Sequence, residues 1–196
     1  MEAYKRWIHR PADAMLTSAC IHTGFAPDPN HVTIASMFLL APILWCSSGA
    51  AGALCVAHDL TDRLDGSVAR ISVSKGIKRD GRFGATLDAC CDKVFAVGML
   101  ALHPSVPLWA TWKIAIHALG LATRITLHAS DTKLDLRSTM HGKAGTFLEN
   151  ASFACLCWGW TRVFAVLFGV SCLLAVRSLA PKVGAFGYLI LSAAVA

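Results

Sequence analysis

At 196 residues the chain suits one domain. Hydrophobic residues make up 55% and charged residues 15%, with a mean hydropathy of +0.54, against about 45–50% and about 25% in ordinary soluble domains. This composition points first to a membrane protein; the net charge of +6, with no Lys/Arg stripe interleaved with aromatics, fits membrane topology and anionic lipid headgroups rather than nucleic acid.

Residues 1–30 set Tyr4, Trp7, Ile8, Met15 and Leu16 against Lys5, Arg6, His9 and Arg10. This mixture predicts an amphipathic helix at the membrane interface, ended by the Pro27–Pro29 region. No apolar core of a cleavable signal peptide precedes it. Apolar segments of nearly bilayer-spanning length, about 17–25 residues, then follow. They cover about 32–46, 50–70, 84–102, 108–128, 146–160 and 163–179, with polar or proline-containing turns between them. The stretch after Pro181 is apolar again and either prolongs the sixth helix or makes another pass. The expected fold is all-α: a polytopic membrane helix bundle of about six transmembrane helices, occupying 31–196 behind the interfacial segment 1–30.

Basic residues gather before the first helix, between the second and third (Arg70, Lys75, Lys78, Arg79, Arg82) and between the fourth and fifth (Lys133, Arg137, Lys143). The intervening turns carry none. This asymmetry places the N terminus and both basic loops on the cytoplasmic side, or on the matrix or stromal side of an organelle. The eight cysteines fall mostly in apolar stretches with no C-x-x-C pair, and so read as small buried hydrophobes.

The second and third segments contain Asp59, Asp62, Asp65, Asp88 and Asp92. An ionisable group in a membrane helix costs several kcal/mol on insertion scales, so it faces the bundle interior and marks function. Asp62 and Asp65 stand at i, i+3 and Asp88 and Asp92 at i, i+4, which puts each pair on one helix face. Four facing carboxylates repel unless cations lie between them, and oxygen-only donors select hard ions such as Mg²⁺, Mn²⁺ or Ca²⁺. Gly66, Ala69 and Gly84 lower the wall around the acids, and Arg70 brings a cation suited to phosphate. A solvated acidic turn, structural charge pairs and a transporter's proton or cation path are the competing explanations.

Asp62-Arg-Leu-Asp65-Gly66-Ser-Val-Ala69-Arg70, followed by Gly84-Ala-Thr-Leu-Asp88-Ala-Cys-Cys-Asp92, resembles the signature of the CDP-alcohol phosphotransferase family, D-x-x-D-G-x-x-A-R and then G-x-x-x-D-x-x-x-D. Asp59 falls outside that pattern. Pro29-Asn30-His-Val-Thr33 is similar to the family's P-N-x-x-T opening of the first helix. The stretch from Ser138 through Gly142 and Lys143 to Thr146 resembles the S-x-x-G-K-x-x-T segment of the phosphatidylglycerophosphate and cardiolipin synthase branches. The linker from Ile71 to Phe83 is longer and more basic than the family's usual one, and Glu149 stands where those branches often have Gln.

The resemblance implies transfer of a phosphatidyl group from CDP-diacylglycerol to an alcohol, with release of CMP, in phospholipid biosynthesis. It implies a two-metal site of Mg²⁺ or Mn²⁺ on Asp62, Asp65, Asp88 and Asp92, with Asp92 as general base. CDP would lie against Gly66, Ala69, Arg70 and Gly84, assisted by Asn30 and Thr33. Lys143, Arg137, Arg124 and Arg82 would receive a phosphorylated acceptor, favouring glycerol 3-phosphate over phosphatidylglycerol or an inositol-type alcohol. Membrane lipids are the other expected partners, and a homodimer is admitted.

Overall fold

The computed structural model describes residue 18 and residues 28–74, 81–129 and 139–195; for Asp65, Gly66, Arg70 and Arg82 it describes the backbone alone. The expected interfacial helix of 1–30, the loop 75–80 and Arg137 lie outside the described residues. Those residues are helical throughout, with no strand among them: α1 (Pro29–Met37), α2 (Leu40–Trp45), α3 (Ser48–Ser74), α4 (Gly81–Leu102), a 3₁₀ turn (Leu108–Ala110), α5 (Lys113–Ala129), α6 (Met140–Cys157) and α7 (Thr161–Val195).

The expected first span, 32–46, is two helices rather than one. Asp28 caps α1 by accepting from Asn30 N at 2.9 Å, with Pro29 in the first turn. At the break, Phe38 N and Leu39 N bond three residues back, to Ala35 O and Ser36 O at 3.2 Å. Pro42 explains it: this residue has no N–H for the carbonyl of Phe38, and its ring crowds that carbonyl. The fourth span likewise opens as a 3₁₀ turn and becomes α5 only at Lys113. Pro181 has the opposite outcome. It lies inside α7, which runs unbroken for 35 residues, so the apolar tail prolongs the last helix rather than forming a separate pass.

α6 packs against α7 and α3, α1 against α3 and α4, and α5 against α4 and α7. The shared core holds Phe95, Met99, Leu100, Phe153, Phe164 and Phe168. At one end, Trp158 Nε1 donates to Gly49 O at 3.2 Å and His103 Nε2 lies 3.5 Å from Cys157 Sγ. These contacts tie together the turns after α2, α4 and α6. Cys55, Cys155, Cys157 and Cys172 are buried as expected, whereas Cys46 is exposed. Asp62 lies near the middle of α3, and Asp88 and Asp92 lie in the N-terminal half and near the middle of α4.

Candidate active site

α3 and α4 bring Asp62, Asp88 and Asp92 together, with one carboxylate oxygen from each lying within 4.8 Å of the others. Asp62 and Asp88 are in hydrogen-bonding reach of one another. Each is half-buried, and three acceptor-only groups at this spacing form a hard-oxygen donor set that suits Mg²⁺ or Mn²⁺. Asp65 continues α3 one turn beyond Asp62. Asp59 is absent from the cluster: its oxygens accept from Arg63 Nε at 2.9 Å and Asn150 Nδ2 at 3.3 Å, an internal tie between α3 and α6.

Of the residues expected around CDP, Asn30 and Gly84 meet. A Cβ placed on Gly84 would lie 3.5 Å from Asn30 Oδ1, in ordinary contact, so the amide sits directly over the N-terminal part of α4. Ala69 is half-buried on α3, and the same helix carries the backbone of Gly66 and Arg70. Thr33 is buried and donates its hydroxyl to Pro29 O at 3.0 Å, so its hydroxyl proton serves the backbone of α1.

Beside Asp88 and Asp92 opens a cavity of about 90 Å³. Its walls are stripes at helical spacing: His117, Gly120 and Arg124 from α5; Gly142, Gly145 and Glu149 from α6; Ser178 and Lys182 from α7. At Gly145 α6 comes close to α7: a Cβ there would touch Leu174 Cβ at 3.4 Å and Ser171 O at 3.5 Å. Arg124, one of the residues expected around the acceptor, lines the cavity and is anchored by Nη1 donating to Ala85 O at 2.8 Å. Lys143 is exposed, yet its charge acts on Asp88 together with those of Arg124 and Lys93.

Sequence reasoning passed over Lys93, Lys182 and a buried network behind the cavity. In that network Glu149 Oε1 accepts from Lys113 Nζ at 3.0 Å and from His117 Nε2 at 2.8 Å. Lys113 Nζ also donates to Ser171 Oγ at 2.6 Å and lies 4.7 Å over the Phe168 ring. Lys113 is 0% exposed and Glu149 3%. The signal was available: Lys113, His117, Gly120 and Arg124 recur on one face of an apolar helix. A further correction concerns the polar residue before Gly142. Ser138 lies outside the described residues; Thr139, three residues ahead of Gly142, caps α6 by accepting from Gly142 N at 3.0 Å. That cap starts α6 several residues before the expected 146.

The sequence pattern of the family described as CDP-alcohol phosphatidyltransferase matches residues 28–177. This interval includes all three clustered carboxylates and most of the cavity wall. Neither the curated proteins nor the solved structures yield a match.

Proposed function

The chain belongs to the CDP-alcohol phosphatidyltransferase family, and on that premise we propose that it is a membrane-embedded enzyme that transfers the phosphatidyl group of CDP-diacylglycerol to glycerol 3-phosphate. The observation that carries the acceptor is the cavity itself, where Lys93, Arg124 and Lys182 stand beside Asp88 and Asp92. A phosphorylated alcohol brings about two negative charges to a site already rich in carboxylates, and these cations offset them.

Asp62, Asp88 and Asp92, with Asp65 from the same motif, would hold the divalent ions, which when bound neutralise the pyrophosphate and the departing CMP. Asn30 and Gly84 border the CDP side. Asp92 takes the proton of the acceptor hydroxyl, whose oxygen bonds to the phosphatidyl phosphorus as the bond to CMP breaks. Arg124, held by Ala85 O, keeps the acceptor phosphate at the cavity wall.

A polytopic membrane bundle is part of this reading. Thr161–Gly184, with mean hydropathy 2.2, is long and apolar enough to cross a bilayer alone. The other long helices carry inward polar residues that lower their averages. Val163, Val166, Val170, Leu173 and Val176 are exposed along one face of α7, an apolar stripe better suited to lipid than to water.

The experiment is turnover of labelled CDP-diacylglycerol by the purified protein with a panel of alcohols. CMP release with glycerol 3-phosphate supports the proposal. Turnover with phosphatidylglycerol or inositol alone overturns the acceptor, and ion flux without CMP release overturns the enzyme.

A further inference from the structure

The Lys113–Glu149–His117 network lies behind the cavity and is unused by the chemistry described above. One carboxylate oxygen binds both nitrogens, with Lys113 at 3.0 Å and His117 Nε2 at 2.8 Å. Lys113 already supplies the single positive charge that the Glu149 carboxylate balances. A second charge on His117, 1% exposed and close to Lys93 and Lys113, would be an uncompensated buried cation. The ring is therefore neutral and carries its proton on Nε2, where it donates to Glu149, leaving Nδ1 with a lone pair. Nδ1 has no protein partner among the described residues, whose one sealed and unpartnered side-chain nitrogen or oxygen is His58 Nε2. His117 is among the residues that line the cavity.

That lone pair is unlike its surroundings. Lys93, Arg124 and Lys182 can only donate hydrogen bonds, and the oxygen of Glu149 that faces His117 is already shared between two donors. A lone pair in a residue 1% exposed needs a donor, and an alcohol hydroxyl is the donor that an acceptor substrate brings. Resting on the acceptor reading above, we infer that His117 is a specificity-determining residue: Nδ1 accepts a hydrogen bond from a second hydroxyl of the acceptor, next to the hydroxyl that reacts at Asp92. Glu149 is the positioning residue that fixes the ring, and Lys113 with Ser171 fixes Glu149. The site thus takes vicinal diols in preference to simple phosphorylated alcohols.

The test compares glycerol 3-phosphate with 3-hydroxypropyl phosphate, which lacks the second hydroxyl, using the full chain in lipid vesicles with CDP-diacylglycerol. The wild type should favour glycerol 3-phosphate in kcat/KM by about tenfold, the worth of one neutral hydrogen bond. His117→Gln retains an amide N–H for Glu149, but its carbonyl oxygen is not held by a ring at the position of Nδ1, so the ratio should fall toward one. An unchanged ratio in His117→Gln overturns the assignment and leaves a structural role. Equal use of the two phosphates by the wild type overturns it without any variant. Turnover of neither phosphate, with phosphatidylglycerol consumed instead, identifies the acceptor reading as the part that failed and removes this assignment with it.

Discussion

Glu149 shows why single side chains here must be judged with their partners. A lone buried carboxylate would cost several kcal/mol; with Lys113 and His117 on the same oxygen, the charge is matched inside the bundle. Lys113→Met should therefore lower stability by about 3–5 kcal/mol, because it leaves Glu149 short of its cation. The double change Lys113→Met with Glu149→Gln should recover most of that loss, since a neutral pair needs no counter-charge. Thermal unfolding in detergent measures both, and a double variant no more stable than the single one would refute the pairing. At the carboxylates the expectation concerns chemistry instead. Asp92→Asn preserves shape but not proton affinity, so it should keep CDP binding and lose CMP release. Asp62→Asn should weaken CDP and metal binding together, and chelation of divalent ions should stop wild-type turnover. Asp62, Asp88 and Asp92 were legible in the sequence because i, i+3 and i, i+4 spacing survives any bundle geometry. Lys113 and His117 were not, since their partner lies on another helix and only packing brings it near.

At the scale of elements, apolar length located the helices but not their ends. Proline acted by context: Pro42 breaks a short helix, whereas Pro181 is carried inside a long one. Caps moved other boundaries, as Thr139 does for α6. Two glycines separate packing from propensity. A Cβ at Gly145 already touches Leu174 and Ser171, so Gly145→Val should push α6 from α7 and cost about 1–3 kcal/mol. Gly169, inside α7, has nothing within 4 Å of the same position. Gly169→Ala should instead stabilise by about 0.5–1 kcal/mol through helix propensity. Melting of the two variants checks the contrast; equal effects would mean that α6 and α7 are not in close contact.

For the whole molecule, the tryptophans are unevenly placed. Five of the six tryptophans, Trp45, Trp109, Trp112, Trp158 and Trp160, cluster where α2, α4 and α6 end and α5 and α7 begin. All five reach the surface, with Trp45 at 90% exposure. Tryptophans gathered at one level form the belt expected where hydrocarbon meets headgroups. The expectation from loop charge is that the end opposite these turns faces the cytoplasm, matrix or stroma. The loop asymmetry was legible in the sequence, whereas the grouping of the tryptophans emerged only once the three turns were brought together. Ser105, beside the belt, and His141, next to the cavity-lining Gly142, are both exposed and suit cysteine labelling in a chain with Cys20, Cys46, Cys90 and Cys91 replaced by serine. In sealed, oriented vesicles a membrane-impermeant maleimide should label His141→Cys only from the face that CDP-diacylglycerol synthesis uses, and Ser105→Cys only from the opposite face. Both variants should react fully once detergent opens the vesicles, which shows that each thiol is exposed. Labelling of the two positions from one and the same face would refute a bundle that crosses the membrane between them, whatever the fate of the carboxylate chemistry.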